Sequence, residues 1–226
     1  MGERTALVTG ANRGLGRAVA SLLLARGHRV LVTARDLRAA KDTAAELGPG
    51  ATGLRLDVTD AAGVERIRRE AGPVDVLVNN AGVQLDWGLD PVRVPVELVR
   101  THLEVNTLGA WQLTAALLPG MTARGWGRVV MVSSGIGTFA SGLFPASPAY
   151  SLSKAALNAT TVLFAGTARN SGVLVNAVNP GLVRTRMRPD ASREAPEAAA
   201  DVLAAVLLPD DGPTGVLFRS GRVVPW

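Results

Sequence analysis

The chain has a single tyrosine, Tyr150, four residues ahead of Lys154, one of only two lysines. Positions four apart in a helix share a face, so the Tyr-Ser-Leu-Ser-Lys run points a phenol and an ammonium toward a common ligand. A phenol titrating near ~10 exchanges protons poorly at neutral pH, and a fixed cation beside it favours the phenolate. Ser134, sixteen residues earlier, adds a hydroxyl that can orient a carbonyl. Alone, the pair fits equally a half-buried tyrosine next to a solvated lysine. Its meaning depends on the elements that position it.

Composition narrows those elements. A chain of 226 residues buries one sizeable core, and one α/β domain is the expectation. Although 47% of residues are hydrophobic, no apolar run approaches the ~20 residues of a membrane span. The start, MGERTALVTG, has no leader pattern and enters a strand at once, which predicts a cytoplasmic protein. The lack of cysteine excludes disulfides and thiol chemistry. His28 and His102 read as packing or surface residues, and no metal site is expected. The net charge of +5 raises nucleic acid as a partner. However, the arginines are scattered, without basic runs or interleaved aromatics, and nucleic acid is not expected as a partner.

Taken in order, residues 5–10 (TALVTG) read as a buried strand entering a turn in which Gly10, Gly14 and Gly16 precede a helix. Such a turn either is purely structural or brings backbone N–H groups to a pyrophosphate. HRVLVTARD is a second strand that ends on Ala34 and Arg35, where an acidic residue would bind a bare ribose and arginine a 2'-phosphate. Arg13 adds a second positive charge. Each arginine could be a solvated surface group; together they favour NADP(H). A helix over 37–48, a third strand TGLRLDV, a helix over 60–71 and a fourth strand running into Asn79-Asn80-Ala81-Gly82 follow. The two asparagines either hold a turn or approach a cofactor. After a loop from Gln84 to Pro95, one helix is predicted over about 96–124, with Asn106 an unfavoured residue inside it. GRVVMVSS is the fifth strand, delivering Ser133 and Ser134. The Tyr150 helix, a sixth strand LVNAVNPG, a helix over 194–208 and a last short strand with a tail, GVLFRSGRVVPW, complete the chain. Strands that read as continuous apolar runs between helices predict a parallel sheet covered on both faces, with ligands at the strands' carboxyl ends.

TGANRGLG, LDV, NNAG, the Asn106 helix, VSS, YSLSK and NPGLVRT stand in the order and approximate spacing of the short-chain dehydrogenases/reductases, which the whole chain resembles. VTARD and the ending resemble, more loosely, the NADPH-dependent carbonyl reductases of that family. The resemblance implies one doubly wound Rossmann-type domain over 1–226 with a mainly parallel seven-stranded sheet, and NADPH/NADP+ as cofactor. It implies a small carbonyl or alcohol substrate and a homo-oligomer, dimer or tetramer. Gly10, Asn12, Arg13, Gly14, Leu15 and Gly16 would cradle the phosphates, and Arg35 would meet the 2'-phosphate. Asp57 and Val58 would flank adenine, Asn80 would lie near the adenosine, and Val183 and Thr185 would hold the carboxamide. Ser134 would bind the substrate oxygen and Tyr150 would protonate it. Lys154 would hold the nicotinamide ribose and lower the phenol's pKa, and Asn106 would hold a water linking Lys154 to solvent.

Two departures from the family concern the substrate. The stretch between Ser134 and Tyr150 is longer by a few residues, and the connection after Thr185, often a substrate lid, is short. Gln84, Trp87, Ile136, Phe139, Phe144 and Met187 are the expected pocket lining, or else core. The reading of another class is a dinucleotide-binding sensor or scaffold without turnover, usually marked by loss of the tyrosine or lysine, and both are present here.

Overall fold

Four apolar runs of the sequence, TALV, RVLVTA, VLVN and GRVVMV, lie side by side as adjacent parallel strands. The computed structural model describes residues 3–226; residues 1 and 2 of the expected 1–226 unit lie outside the described residues. Along the chain come β1 (Thr5–Val8), α1 (Gly14–Ala25), β2 (Arg29–Ala34), α2 (Leu37–Leu47), β3 (Ala51–Arg55), α3 (Ala61–Glu70) and β4 (Val76–Asn79). The second half contains α4 (Val96–Leu103), a π-helical turn (Glu104–Leu108), α5 (Gly109–Ala123), β5 (Gly127–Val132), α6 (Pro148–Thr167), β6 (Val173–Val178), α7 (Ala195–Val206), β7 (Leu217–Arg219) and β8 (Arg222–Val224).

The sheet order is β3-β2-β1-β4-β5-β6-β7-β8, parallel except for the last pair. Successive residues of each strand face opposite layers: Ala6 and Val8 of β1 pack with Val19 and Leu23 of α1 and Val202 of α7, while Leu7 packs in the layer of Ile67, Leu113 and Leu157. Both faces are therefore dry, and each buried Leu or Val stabilises the sheet by ~1.5–3 kcal/mol.

Register places the chemistry. Val8 pairs with Val32 on one side and with Val78 on the other, so the exits of β1, β2 and β4 emerge level at one edge. The order reverses between β1 and β4, and it is at such a point that a crevice opens beyond the strand ends.

Three expectations are corrected. The sheet has eight strands and not seven, because the last predicted strand folds back at Ser220 and Gly221, both with positive φ, into an antiparallel hairpin. The helix over 96–124 is interrupted by the π turn, and Asn106 lies in it. The third strand ends at Arg55, leaving Asp57 and Val58 in the connection after it. No helix among the described residues is long and apolar enough to cross a membrane.

Candidate active site

At the switch point lies a cleft of about 950 Å³, reached by all of β1, β2, β4, β5 and α6 through their exits or first turns. Its first end is the glycine turn. Gly10 and Gly14 have φ of 60° and 53°, which side chains disfavour, and a Cβ on Gly16 would come within 2.5 Å of both the Gly10 carbonyl and Asn80 Nδ2. Asn80 holds the turn itself: its amide donates to the carbonyls of Thr9 (2.8 Å) and Gly10 (3.2 Å). The backbone N–H groups of Asn80 and Ala81 both donate to Thr9 Oγ1. α1 starts here with no side-chain cap, so its first N–H groups are open to an anion. Asn12, Arg13 and Leu15 line this end with the glycines.

Arg13 and Arg35 are exposed along the cleft, and neither has an acidic partner within ion-pair distance among the described residues. Asp57, also lining, has its carboxyl held below the ordinary value, chiefly by the Thr59 N–H, with Arg35 and Arg55 contributing. Val58 is buried beside it. On the opposite wall the turn after β6 leans on the glycines: a Cβ at Gly14 would touch Thr185 at 3.2 Å, and Val183 bridges to Arg193. The donors, the narrow glycine approach and the two unpaired guanidinium groups suit a phosphorylated dinucleotide.

Ser134, Tyr150 and Lys154 line the second end. Ser133 also borders the cleft, but its hydroxyl is engaged elsewhere, donating to Asn158 Oδ1 at 2.5 Å. The Tyr150 phenol is pushed up to about 12, chiefly by burial, with a hydrogen bond to Ser134 opposing the rise and the Asp86 charge adding to it. The Lys154 ammonium is brought down to about 8 by burial. Its Nζ donates to the Val132 carbonyl at 2.8 Å and stands 5.6 Å from the tyrosine ring centroid. In this arrangement burial outweighs the carbonyl-bound ammonium in setting the phenol's pKa.

Asn106 stands apart from these three. It does not line the cleft: Oδ1 accepts from the Val83 N–H (2.7 Å), and Nδ2 donates to the Val83 carbonyl (2.9 Å) and to Ser153 Oγ (2.9 Å). Both ends of its amide are engaged with protein, so the side chain fixes the loop after β4.

That loop carries the residue that sequence reading missed. Asp86, fully buried, accepts hydrogen bonds from the Ser147 hydroxyl (2.7 Å) and from the backbone N–H groups of Ala149 (2.7 Å) and Tyr150 (3.2 Å). It caps α6, whose own N-cap Ser147 makes no side-chain cap. His102, likewise buried, accepts from the Leu85 N–H at Nε2 (3.0 Å), with Nδ1 2.6 Å from the Leu98 carbonyl. Nothing in the sequence marks an aspartate sixty-four residues before the tyrosine it positions. From the sequence Ser147 ahead of Pro148 reads as an ordinary cap, which hides the need for Asp86.

Of the expected pocket residues, Gln84, Trp87, Ile136, Phe144 and Met187 line the cleft, whereas Phe139 is 76% exposed and lies outside the lining. Its segment turns toward the C-terminus, where the Ala140 N–H donates to the Trp226 carbonyl.

The family model described as short chain dehydrogenase matches residues 4–196. The 3-oxoacyl-(acyl-carrier-protein) reductase FabG of Escherichia coli is 37% identical over 188 residues, covering 81% of this chain and 75% of the relative. Oxidoreductase UcpA of Salmonella typhimurium is 34% identical, covering 98% and 80%. Among solved structures, a 3-oxoacyl-(acyl-carrier protein) reductase from Brucella melitensis superposes with a TM-score of 0.87 at 26% identity, covering 97% of this chain and 90% of the other. Salutaridine reductase from Papaver somniferum gives 0.81 at 26%, covering 96% and 99%.

The buried lysine sets a pH dependence of stability. Below about pH 8 folded and unfolded chains both carry the proton, and the fold bears the full desolvation cost of Lys154. Between about 8 and the ordinary 10.5 only the unfolded lysine binds a proton, so stability rises with pH. Lys154→Met should therefore raise the Tm at pH 7, by ~2–4 °C per kcal/mol recovered, and flatten the rise between pH 8 and 10. Thermal unfolding across that range checks this; a variant with the parental pH slope contradicts it.

Proposed function

The chain belongs to the short-chain dehydrogenase family and is an NADP(H)-dependent oxidoreductase, and on that premise we propose that it reduces a ketone or aldehyde to the alcohol, or runs the reverse oxidation, with Tyr150 as general acid/base. The carrying observation is that one cleft joins the glycine turn and its two unpaired arginines to Ser134, Tyr150 and Lys154. The comparisons lend no support to a sensor or scaffold without turnover.

When bound, the cofactor supplies the hydride. Gly10, Asn12, Gly14, Leu15, Gly16 and Arg13 would hold its phosphates, and Arg35 the 2'-phosphate. Asp57, Val58 and Asn80 would line the adenosine side, and Val183 and Thr185 the carboxamide side. The protein's own part begins with Ser134, which donates to the substrate oxygen and aligns it with the phenol. With its pKa near 12, Tyr150 is fully protonated at neutral pH and holds a proton ready for the oxygen. An alkoxide developing on that oxygen is the stronger base, so transfer from the phenol runs downhill. Lys154, charged below about pH 8, would hold the ribose hydroxyls and stabilise the phenolate left behind. Asn106 contributes by fixing Val83 at the edge of the cleft.

The reading treats residues 1–226 as one cofactor-binding and catalytic unit working in the cytoplasm. It includes self-association as a dimer or tetramer, supported by exposed apolar side chains on the π turn, α5 and α6: Leu108, Trp111, Leu152, Val162 and Leu163. Light scattering at micromolar concentration should give a multiple of the chain mass, and the monomer mass would oppose this part.

The central experiment replaces the phenol. Tyr150→Phe should keep NADPH affinity within a few-fold and lose ~10²–10⁴ in kcat, because the hydroxyl acts only in the transition state. No second tyrosine can substitute for it. A variant keeping more than about a tenth of parental kcat lies outside that range and removes Tyr150 from the role.

A further inference from the structure

We infer that the carbonyl compound taken by this site is a free, largely apolar molecule with a ring system, and not an acyl chain tethered to an acidic carrier protein. The inference rests on the reductase reading above and narrows it.

The first observation is the shape and chemistry of the substrate end. Sharing Gln84, Trp87, Met187 and Arg188 with the cleft, a side chamber of about 350 Å³ lies against it and is completed by Pro189 and Asp190. That is enough for a small ring compound, at the lower end of the ~300–1,000 Å³ of ligand sites. The Trp87 ring, common to chamber and cleft, stacks on Phe144 of the cleft wall, centroids 5.6 Å apart at 29°, and the Arg188 guanidinium covers it at 4.2 Å. Trp87 nevertheless stays 55% exposed, and Leu182 63%. The tryptophan does not stand open for lack of anchoring: it lies between buried Asp86 and Gly88, whose N–H donates to the Ala146 carbonyl at 2.8 Å. Large apolar groups fixed open around a cleft mark what the cleft binds. The long Ser134–Tyr150 connection supplies Phe144, half of the aromatic pair.

The second observation is the distribution of charge. The segment around the mouth is rich in arginine, but nearly all of it is neutralised locally. Arg188 pairs with Asp190 at 2.8 Å, Arg184 with Glu194, and Arg193 with Asp201 at 2.8 Å and Glu197 at 3.1 Å. Arg186 is the one guanidinium of this turn without an acidic partner among the described residues. An acidic carrier is drawn and seated by unpaired positive charge around the entrance. Here Arg186 alone offers such charge at the mouth, whereas Arg13 and Arg35 stand at the opposite end of the cleft, where a phosphate belongs.

The test measures initial rates of NADPH oxidation by the full-length protein with three probes: 2-tetralone, a bicyclic ketone; acetoacetyl-N-acetylcysteamine, a free thioester; and acetoacetyl-acyl carrier protein. Expected is a kcat/KM for 2-tetralone at least ~10-fold above both thioesters, with the carrier conferring no advantage over the free thioester. Trp87→Ala should lower kcat/KM for 2-tetralone by ~10-fold or more, the scale of one lost aromatic contact surface, with KM moving more than kcat. Trp87→Phe should restore most of it. A higher kcat/KM for the carrier-bound thioester than for its free analogue, falling with added salt, overturns this inference alone. NADPH binding without turnover of any carbonyl overturns the reductase reading and the inference with it.

Discussion

The geometry of this site hangs on one buried carboxylate. Asp86 is excluded from solvent, and a charge in that position is tolerable only if its oxygens are fully hydrogen-bonded. Its partners are the Ser147 hydroxyl and the first free N–H groups of α6, where the helix dipole favours negative charge. Satisfying the carboxylate therefore fixes the start of α6, including the backbone of Tyr150 and, one turn on, Lys154. The loop holding Asp86 is fixed in turn by Asn106 on Val83 and by His102 on Leu85. β4, the π turn and α6 are thereby tied together. The same charge helps to keep the phenol protonated, so position and protonation of Tyr150 have a common source.

A second constraint is the parallel register. Because β1, β2 and β4 end level, the glycine turn and Arg35 meet at one crevice, and β5 brings Ser134 to its far side. Charge then separates along the cleft. Unpaired arginines stand at the end beyond β2, while the arginines of the turn after β6, Arg186 excepted, are matched by acids of their own segment. The interior between these ends is apolar enough to dehydrate Lys154 and Tyr150, which makes their ionisation costly.

Much of this was legible in the chain because the signals were local. Apolar runs specified the strands, and the glycines specified a turn whose φ values side chains disfavour. Tyr150 and Lys154 were visible as a helical pair. What stayed hidden depended on tertiary distance. The π turn reveals itself only through Asn106, whose partner Val83 lies twenty-three residues away. Asp86 looks like any loop aspartate until α6 is folded against it. The final hairpin had a local signal, Ser220-Gly221 between short apolar stretches, that was read as a tail. Phe139 and Phe144 both read as pocket lining, but the connection turns the first outward and the second into the cleft.

Since Tyr150 is the only tyrosine, its ionisation can be read directly from tyrosinate absorbance, and this measurement tests the role of Asp86 most closely. In the folded parent the phenol should still be protonated at pH 10.5. In Asp86→Asn, with circular dichroism showing a retained fold, it should titrate at lower pH, and kcat should fall by ~10²-fold as the acid loses its fixed position. A parent phenol that ionises near the ordinary value of 10.0, or an Asp86→Asn protein with parental titration and parental kcat, would contradict the account.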